Sequence, residues 1–363
     1  MKKRNSYKFY SLLLIFCLAI GGITYSCGPS GGGGKNGTPP PPVAYWNNNT
    51  PKVNGDSAYA FVKKQVDFGP RVPNSEAHVK CGDYFLEQFK AYGWKVEAQS
   101  FKAKRYDDVE LDSRNIIASY KAPNATRTIL LAAHWDARFV ADKDSTDTKK
   151  PIDGANDGAS GVAVLMELAR TVSQAKVKPT VNIDIVLFDS EDQGYPNFIK
   201  EQTKQDTWCL GSQYWAKNND TNYWYGILLD MVGAKGAKFY KEGYSVRTAK
   251  GVVNDLWQVA AKIGTNGYFI GLNSPEIVDD HVYVNKIKSV PMADIIEFDP
   301  NDPATYFAKY HHTHKDNIDI IDKETLKAVG QTVLQYVYNT FGSQEQADAF
   351  QKAAQEKAKP AAK

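Results

Sequence analysis

A mostly apolar run at residues 183–188 leads into two adjacent carboxylates, Glu191 and Asp192. The run is short and rich in β-branched and aromatic residues, which is typical of a buried β-strand. In an open α/β sheet, ligands bind just beyond the carboxyl ends of the strands. Because neighbouring residues of an extended chain point in opposite directions, a bend here can direct one carboxylate to a metal ion and leave the other free. The alternative is that residues 189–192 form only a solvated acidic loop.

Strand-like and helix-like patterns alternate along the chain. The strand-like runs lie at residues 116–120, 129–133, 183–188, 225–232 and 287–298. Apolar residues at helical spacing cover residues 60–66, 79–89, 162–172, 211–217, 252–263 and 326–341. This alternation indicates one three-layer α/β domain, predicted to extend over residues 55–342.

The first residues resemble a bacterial lipoprotein signal. A cationic start at residues 1–4 precedes an apolar segment at residues 12–20, which is too short to span a bilayer comfortably. Cleavage after residue 26 would make Cys27 the lipidated first residue of an exported protein that is anchored to a membrane and faces the periplasm. Plain secretion into the periplasm is the alternative. We expect residues 27–54, rich in glycine and proline, to form a tether, and residues 343–363 to form a polar tail.

Net charge and cysteine content set two further limits. A formal charge of +3 over 363 residues gives no reason to expect a nucleic-acid partner. Cys81 and Cys209 remain once Cys17 leaves with the signal and Cys27 carries lipid. An exported compartment permits a disulfide between Cys81 and Cys209, but two buried free thiols are equally compatible with the sequence.

Residues of metal-binding type collect where the predicted strands end. Five of the six histidines lie in these segments. The segments are His134-Trp135-Asp136, Asp157, Glu191-Asp192, Asp230, Asp279-Asp280-His281 (in a predicted loop) and residues 311–314. If the strands are parallel and adjacent, these side chains converge at one edge of the sheet, and such nitrogen and oxygen donors suit zinc.

Each of these residues also has a structural interpretation. His134 alone can be a hydrogen-bonded structural histidine, Asp157 can cap a helix, and residues 311–314 can form a surface cluster. Asp230 differs, because a carboxylate inside an apolar run must be paired or bound. The joint occurrence of these residues therefore favours a site.

Residues 68–341, which contain these motifs, resemble the zinc aminopeptidase-like family, and within it the glutaminyl-peptide cyclotransferases. The family pattern is matched by His134-Trp135-Asp136, Asp157, Glu191-Asp192, Asp230 and His312. Residues 69–73, 279–281 and 312–317 resemble the cyclotransferase branch in particular. The resemblance implies an α/β/α sandwich with a central, twisted, mixed but mostly parallel sheet.

Residue roles follow from the same resemblance. Asp157, Asp192 and His312 would hold a single zinc ion, and Glu191 would transfer protons. Asp230 and Asp280 would complete a hydrogen-bond network beside Glu191. The chain departs from the common pattern in three places: Asp192 is shorter than the usual Glu, His311 replaces a Trp of animal cyclases, and Asp294 replaces their His.

The chemistry of cyclisation also calls for an aromatic pocket that excludes water. Trp208, Trp135 and Tyr195 are candidates for its wall, although core packing is the favoured alternative for any one of them. Trp208 and His311 are the predicted substrate-binding residues.

The resemblance implies an aminoacyltransferase that converts the N-terminal glutamine of peptides and proteins to pyroglutamate and releases ammonia. One alternative on the same fold is a two-zinc aminopeptidase, in which His134 and Asp230 complete a second metal site. The other is a metal-free binding module. Because the cyclotransferase and the two-zinc aminopeptidase use the same ligand residues, the presence of these residues does not distinguish the two enzymes.

Overall fold

The computed structural model describes residues 45–302 and 306–358. Its helices are α1 (Gly55–Val66), α2 (Glu76–Ala91), α3 (Ala159–Gln174), α4 (Leu210–Lys217), α5 (Gly243–Thr248), α6 (Lys250–Ile263), α7 (Asp280–Lys288), α8 (Lys323–Tyr338) and α9 (Gln344–Ala358), with a 3₁₀ turn at Ile318–Ile320. Its strands are β1 (Lys95–Lys104), β2 (Glu110–Tyr120), β3 (Thr128–His134), β4 (Asn182–Phe188), β5 (Gly226–Asp230), β6 (Phe239–Lys241), β7 (Phe269–Asn273) and β8 (Met292–Ile296).

Six of these strands form one mixed sheet in the order β1-β2-β4-β3-β5-β8. The β1–β2 and β2–β4 pairs are antiparallel, whereas β4, β3, β5 and β8 run parallel to one another. Every residue of β3 and β4 is buried, which explains why parallel central strands read as nearly continuous apolar runs. The carboxyl ends of β3, β4 and β5 therefore lie side by side at one edge of the sheet.

Helices cover both faces of this sheet. Leu131 and Ile185 belong to a core shared with α1, α2, α3, α6 and α8, whereas Leu130 and Val186 pack on the opposite face with α4 and α7. This division follows from the two-residue side-chain period of a strand. Each fully buried aliphatic side chain stabilises the fold by about 1.5–3 kcal/mol. The predicted α/β/α sandwich with a mixed, mostly parallel sheet is confirmed.

Two sequence-based assignments within the domain were wrong. Asp279-Asp280-His281 was predicted to lie in a loop, but Asp280 and His281 open α7, and the Asp279 side chain accepts the N–H of Asp280 at 2.5 Å. The strand predicted from residue 287 begins only at Met292, because the preceding residues complete α7. Strand β1 was missed altogether, since most of its residues are polar and solvent-facing.

The domain is also larger than predicted at both ends. Residues 45–54 were assigned to the tether, yet Asn47 Nδ2 donates to the carbonyl of Tyr338 at 3.2 Å and the N–H of Val53 donates to Gln331 Oε1 at 3.0 Å. The polar tail was predicted over residues 343–363, but Gln344–Ala358 form α9. The signal segment, Cys27 and the rest of the tether lie outside the described residues.

Cys81 and Cys209 are separate, buried free thiols, so the disulfide alternative is wrong. Across the portion of the chain that the structure describes, no helix has the length and apolar character needed to cross a membrane.

Candidate functional site

Three side chains predicted to bind metal converge at the carboxyl edge of the sheet. His312 Nε2 lies 3.2 Å from Asp192 Oδ1 and 3.6 Å from Asp157 Oδ2. All three residues are buried, and Asp192 Oδ2 has no hydrogen-bond partner within the described part of the chain. A buried carboxylate oxygen without a partner is costly, so this arrangement is one that a bound cation would stabilise.

Sharp backbone bends carry these side chains into the cluster. Ser190, Met231 and His312 have φ values of 57°, 48° and 58°, in the left-handed region that non-glycine residues seldom adopt. Such strained positions occur mainly where the surrounding structure holds a functional site in place. The bend at Ser190 follows β4 directly and redirects the chain, as the sequence suggested.

Asp136 holds the two acids that follow this bend. Its carboxylate accepts the backbone N–H of Glu191 at 3.0 Å and that of Asp192 at 3.1 Å, together with Gln193 Nε2 at 2.9 Å. The last residue of the His-x-Asp motif therefore acts on the backbone that carries the acids.

The loop that carries Asp157 is held from two other segments. Asp316 accepts the N–H groups of Asn156 and Asp157 at 2.7 and 3.1 Å. Gly158 approaches His134 so closely that a Cβ would lie 2.6 Å from Cε1 of the imidazole, so only glycine fits there.

Residues 69–73, which resemble the cyclotransferase branch, also hold the loop that carries Asp157. The buried guanidinium of Arg71 donates to the carbonyl oxygens of Asp153 and Gly154, the latter at 2.6 Å. The carbonyl of Arg71 accepts the N–H of Ala137 at 3.2 Å. The segment thus ties the loop before Asp157 to the loop after β3.

A second group of buried charges supports Asp192 and His312. Arg138 donates to both oxygens of Asp142 at 2.8 and 2.9 Å and to Asp192 Oδ1 at 3.1 Å. Asp142 Oδ1 lies 3.3 Å from His312 Nδ1. Burial raises the pKa of Asp142, but His312 and Arg138 outweigh it and hold that pKa well below its ordinary value.

His134 lies between two carboxylates. Its Nε2 is 2.9 Å from Asp157 Oδ1 and 3.1 Å from Asp230 Oδ1. Burial lowers the pKa of His134, but Asp136, Asp157 and Asp230 together raise it well above its ordinary value. The ligand atoms of His134, Asp157 and Asp230 also lie close enough together to hold a cation.

Glu191 stands beside the first cluster without belonging to it. Its side chain is 13% exposed and lines the pocket, and Oε2 lies 4.0 Å from His134 Nδ1. Burial raises the pKa of Glu191 well above its ordinary value. A carboxyl group with a raised pKa can both accept and release a proton near neutral pH.

The remaining predicted network residue, Asp280, is fully buried at the start of α7. Burial and the neighbouring charge of Asp279 raise the pKa of Asp280 well above its ordinary value. Beyond it, His281 Nδ1 lies 3.6 Å from Asp294 Oδ2 and His281 Nε2 lies 3.1 Å from Glu242 Oε2. Asp294 therefore belongs to a buried acidic group with Asp279 and Asp280, and the charges of these two residues also raise the pKa of Glu191.

A cavity of about 310 Å³ opens onto these residues. Asp157, Glu191 and Asp192 line it together with Trp208, Phe307 and His311. The Trp208 ring lies parallel to that of His312, with centroids 6.1 Å apart. A Cβ at Gly194 would overlap the Trp208 ring, so glycine permits this placement.

Two predicted members of the aromatic wall lie elsewhere. Trp135 is fully buried and stacks on His78 with ring centroids 4.2 Å apart, because β3 directs it into the core. Tyr195 packs on Tyr106 at 4.6 Å, and its hydroxyl accepts the N–H of Lys204 at 3.1 Å. Both assignments to the pocket were wrong.

Lys143 completes the wall at His311. Its Nζ donates to His311 Nδ1 at 2.6 Å, and His311 Nε2 lies 3.6 Å from Asp157 Oδ2. The lysine therefore favours the neutral imidazole tautomer with its proton on Nε2.

Sequence reasoning missed Arg138, Asp142 and Lys143. All three follow the His-x-Asp motif within ten residues, but charged residues after a strand ordinarily indicate a solvated loop. Their contacts with Asp192, His312 and His311, respectively, make them part of the site.

Known proteins resemble this chain over most of its length. Residues 115–337 match the profile of peptidase family M28. The structure of Bacteroides thetaiotaomicron glutaminyl cyclase bound to N-acetylhistamine is 47% identical with a TM-score of 0.77, covering 80% of this chain and 100% of that one. A Zn-dependent exopeptidase from Parabacteroides distasonis gives the same identity, TM-score and coverage. The glutaminyl-peptide cyclotransferase of Dictyostelium discoideum is 24% identical over 332 residues, which span 78% of this chain and 82% of its own length.

Proposed function

This chain belongs to peptidase family M28, and we propose that it is a zinc-dependent glutaminyl-peptide cyclotransferase. It converts the N-terminal glutamine of peptides and proteins to pyroglutamate and releases ammonia. The observation that carries the proposal is the placement of Glu191 in a partly aromatic pocket, directly beside Asp157, Asp192 and His312. The similarity to a solved glutaminyl cyclase at 47% identity supports the same reaction.

The cluster fits zinc in the chemistry of its ligands and in the distances from His312 to the two carboxylates. Two carboxylates and an imidazole are ligands of the kind found in catalytic zinc sites. Ligands about 2.0–2.1 Å from a tetrahedral zinc are separated by roughly 3.3 Å. His312 Nε2 lies 3.2 and 3.6 Å from its two carboxylate neighbours, and Asp192 Oδ2 lacks any other partner. We assign one zinc per chain to Asp157, Asp192 and His312. When bound, the ion supplies a Lewis acid that polarises the γ-carboxamide of the substrate.

Glu191 moves the proton that cyclisation requires. The α-amine nitrogen of the glutamine attacks the γ-carboxamide carbon, and a ring C–N bond forms. Glu191 accepts a proton from the attacking amine and delivers it to the departing nitrogen, so that the original C–N bond breaks and ammonia leaves. Proton transfer of this kind contributes about 10²–10⁴-fold to the rate.

The other pocket residues hold the substrate for this attack. Asp230 lines the cavity while His134 contacts its Oδ1, so Asp230 is placed to orient the substrate amine. Asp280 is not hydrogen-bonded to Glu191, but its buried negative charge contributes to the raised pKa of Glu191. Trp208 and Phe307 supply apolar walls that restrict water, and His311 lies beside them. Because both reacting groups belong to one residue, the pocket only has to hold a near-attack conformer.

The two-zinc aminopeptidase is the rival, and one observation favours it. His134, Asp157 and Asp230 form a second group able to hold a cation, with His134 Nε2 at 2.9 and 3.1 Å from its neighbours. These distances equally describe hydrogen bonds in which His134 links the two carboxylates. The rival predicts release of free N-terminal residues, whereas the cyclase predicts loss of ammonia from an intact peptide.

The test is incubation of the zinc-loaded protein with a glutamine-initiated peptide, followed by mass spectrometry. We expect the peptide to lose the mass of one ammonia, and the loss to stop when a chelator removes the zinc. Glu191→Gln should keep its zinc and lose at least about 100-fold in kcat. Removal of the first residue in place of ammonia loss would establish the aminopeptidase.

We also propose that the protein is exported and anchored through lipid on Cys27, facing the periplasm. The cationic start, the short apolar segment and the glycine- and proline-rich spacer support this placement. There the enzyme would meet newly exported proteins with N-terminal glutamine. Fatty-acid labelling of cells that express the full chain should mark the wild type but not Cys27→Ala. Equal labelling of the two proteins would exclude the anchor.

A further inference from the structure

The carboxylate of Glu191 receives a hydrogen bond from a cysteine. Cys209 Sγ donates to Glu191 Oε1 at 3.2 Å. This is the one hydrogen bond to the Glu191 side chain among residues 45–302 and 306–358. Cys209 is fully buried, and burial together with the nearby carboxylates raises the pKa of its thiol well above its ordinary value. The sulfur therefore stays protonated and remains a donor.

The backbone around Cys209 is fastened to the same segment. The N–H of Cys209 donates to the carbonyl of Glu191 at 2.9 Å, and the N–H of Leu210 donates to the carbonyl of Ser190 at 3.1 Å. Cys209 itself adopts left-handed backbone geometry with φ of 56°, which is unfavourable for a residue with a side chain. The start of α4 is thus held against the bend after β4 by three hydrogen bonds, and the thiol supplies the only one that reaches the carboxylate.

We propose that Cys209 is a positioning residue for Glu191. Its thiol holds Oε1 so that the other oxygen, Oε2, is free to face the substrate. This role rests on the proposed function, since it gives Glu191 the task of transferring protons. The sequence predicted either a disulfide or a buried free thiol at Cys209, and the proposed proton transfer does not itself use this residue.

The contact restricts Glu191 because a glutamate side chain otherwise samples several rotamers. Burial fixes part of that freedom, but His134 Nδ1 lies 4.0 Å from Oε2, which is too far for a hydrogen bond. Without the thiol, Glu191 can rotate away from the near-attack geometry. A small displacement of a proton-transfer group lowers kcat and leaves substrate affinity nearly unchanged.

The activity test compares Cys209→Ala, Cys209→Ser and Cys81→Ala in the zinc-loaded, full-length protein. We expect Cys209→Ala to lower kcat about five- to tenfold without changing KM, since one weak hydrogen bond is lost. Cys209→Ser should recover most of kcat, because a hydroxyl also donates. Cys81→Ala makes the same truncation at another buried thiol, on α2, and should leave kcat unchanged.

A spectroscopic readout separates this inference from the proposed reaction. The infrared S–H stretch of Cys209, isolated as the difference between wild type and Cys209→Ala, should be shifted by its hydrogen bond. Glu191→Ala should return the band to the position of a free thiol. An unshifted band, an unchanged kcat in Cys209→Ala, or no recovery in Cys209→Ser would each overturn the positioning role. Absence of cyclisation in the wild type would instead overturn the proposed function, and the S–H band would still decide the contact.

Discussion

The carboxylate of Asp136 accepts a hydrogen bond of 3.1 Å from the backbone N–H of Asp192. The same carboxylate accepts the N–H of Glu191 at 3.0 Å. One buried side chain at the end of β3 thus fixes the proposed zinc ligand and the proposed proton carrier at the end of β4. The geometry of the two acids therefore depends on a residue that is neither a proposed ligand nor a part of the pocket wall.

Replacing Asp136 with alanine should disable the site and also lower the stability of the fold. Two buried N–H groups lose their acceptor, each at a cost of about 1–3 kcal/mol. We expect kcat/KM to fall about 10–100-fold, the usual consequence of removing a residue that orients a metal ligand. Asp112→Ala is the matched control, because its side chain is 69% exposed on β2 and pairs only with a surface lysine. Equal activity of the two variants would contradict the assignment.

Asp142 should set the affinity for zinc. Its Oδ1 lies 3.3 Å from His312 Nδ1, and its two oxygens hold Arg138 against Asp192. Asp142→Asn weakens both contacts, so we expect zinc affinity to fall about 10–100-fold in a titration with a competing chelator. Asp147→Asn weakens exposed contacts with Lys150 and with the N–H of Lys149, and it should leave the affinity unchanged.

The wall formed by Lys143 and His311 should act on substrate binding. Both residues line the pocket, and neither is assigned to the proton transfer. Loss of wall contacts weakens the ground state and the transition state alike. His311→Ala and Lys143→Met should therefore each raise KM about three- to tenfold with little change in kcat. Lys150→Met, at a lysine that is 75% exposed, serves as the control. A large fall in kcat with constant KM would place His311 in the chemical step instead.

Stability should depend on pH through Asp255, which is 5% exposed on α6. Burial raises the pKa of Asp255 from 3.8 to about 6. Near pH 4 the carboxyl is protonated in the folded chain and about half protonated in the unfolded chain, so its effect on stability is small, and it disappears at lower pH. Above pH 6 the folded chain must hold the charge, which lowers the free energy of unfolding by about 1–2 kcal/mol after allowance for screening.

Asp255→Asn should therefore be more stable than the wild type at pH 7.5, and most of this advantage should be lost as the pH falls to 4. Urea denaturation of both proteins at each pH measures the difference directly. A difference that stays constant with pH would show that the charge of Asp255 is not the cause.

The parallel core of this fold was predictable because its strands are buried on both faces. Such strands read as apolar runs, and the ligands at their ends fall at fixed points of the chain. Strand β1 lacks that signal, since Lys95, Glu97 and Lys102 face solvent along it. The start of α7 was not predicted, because residues 279–281 were interpreted as part of a site in a loop. Aspartate is also a common N-cap, and Asp279 has that role.

The site itself was predictable only where side chains follow strands. Asp157, Asp192 and His312 come together as expected, but their contact with Arg138 and Asp142 depends on how a long loop folds back. Trp135 shows the opposite error: it is adjacent in sequence to His134 yet points into the core beside His78. Sequence position does not determine which side of a strand end an aromatic ring faces once the chain bends.

The central claim is that Asp157, Asp192 and His312 share one zinc ion while Glu191 remains unligated. Anomalous diffraction at the zinc absorption edge, from crystals of the zinc-loaded protein, tests it most directly. We predict a single strong anomalous peak among those three side chains. A second peak of similar height between His134 and Asp230, or no peak at the first position, would contradict it.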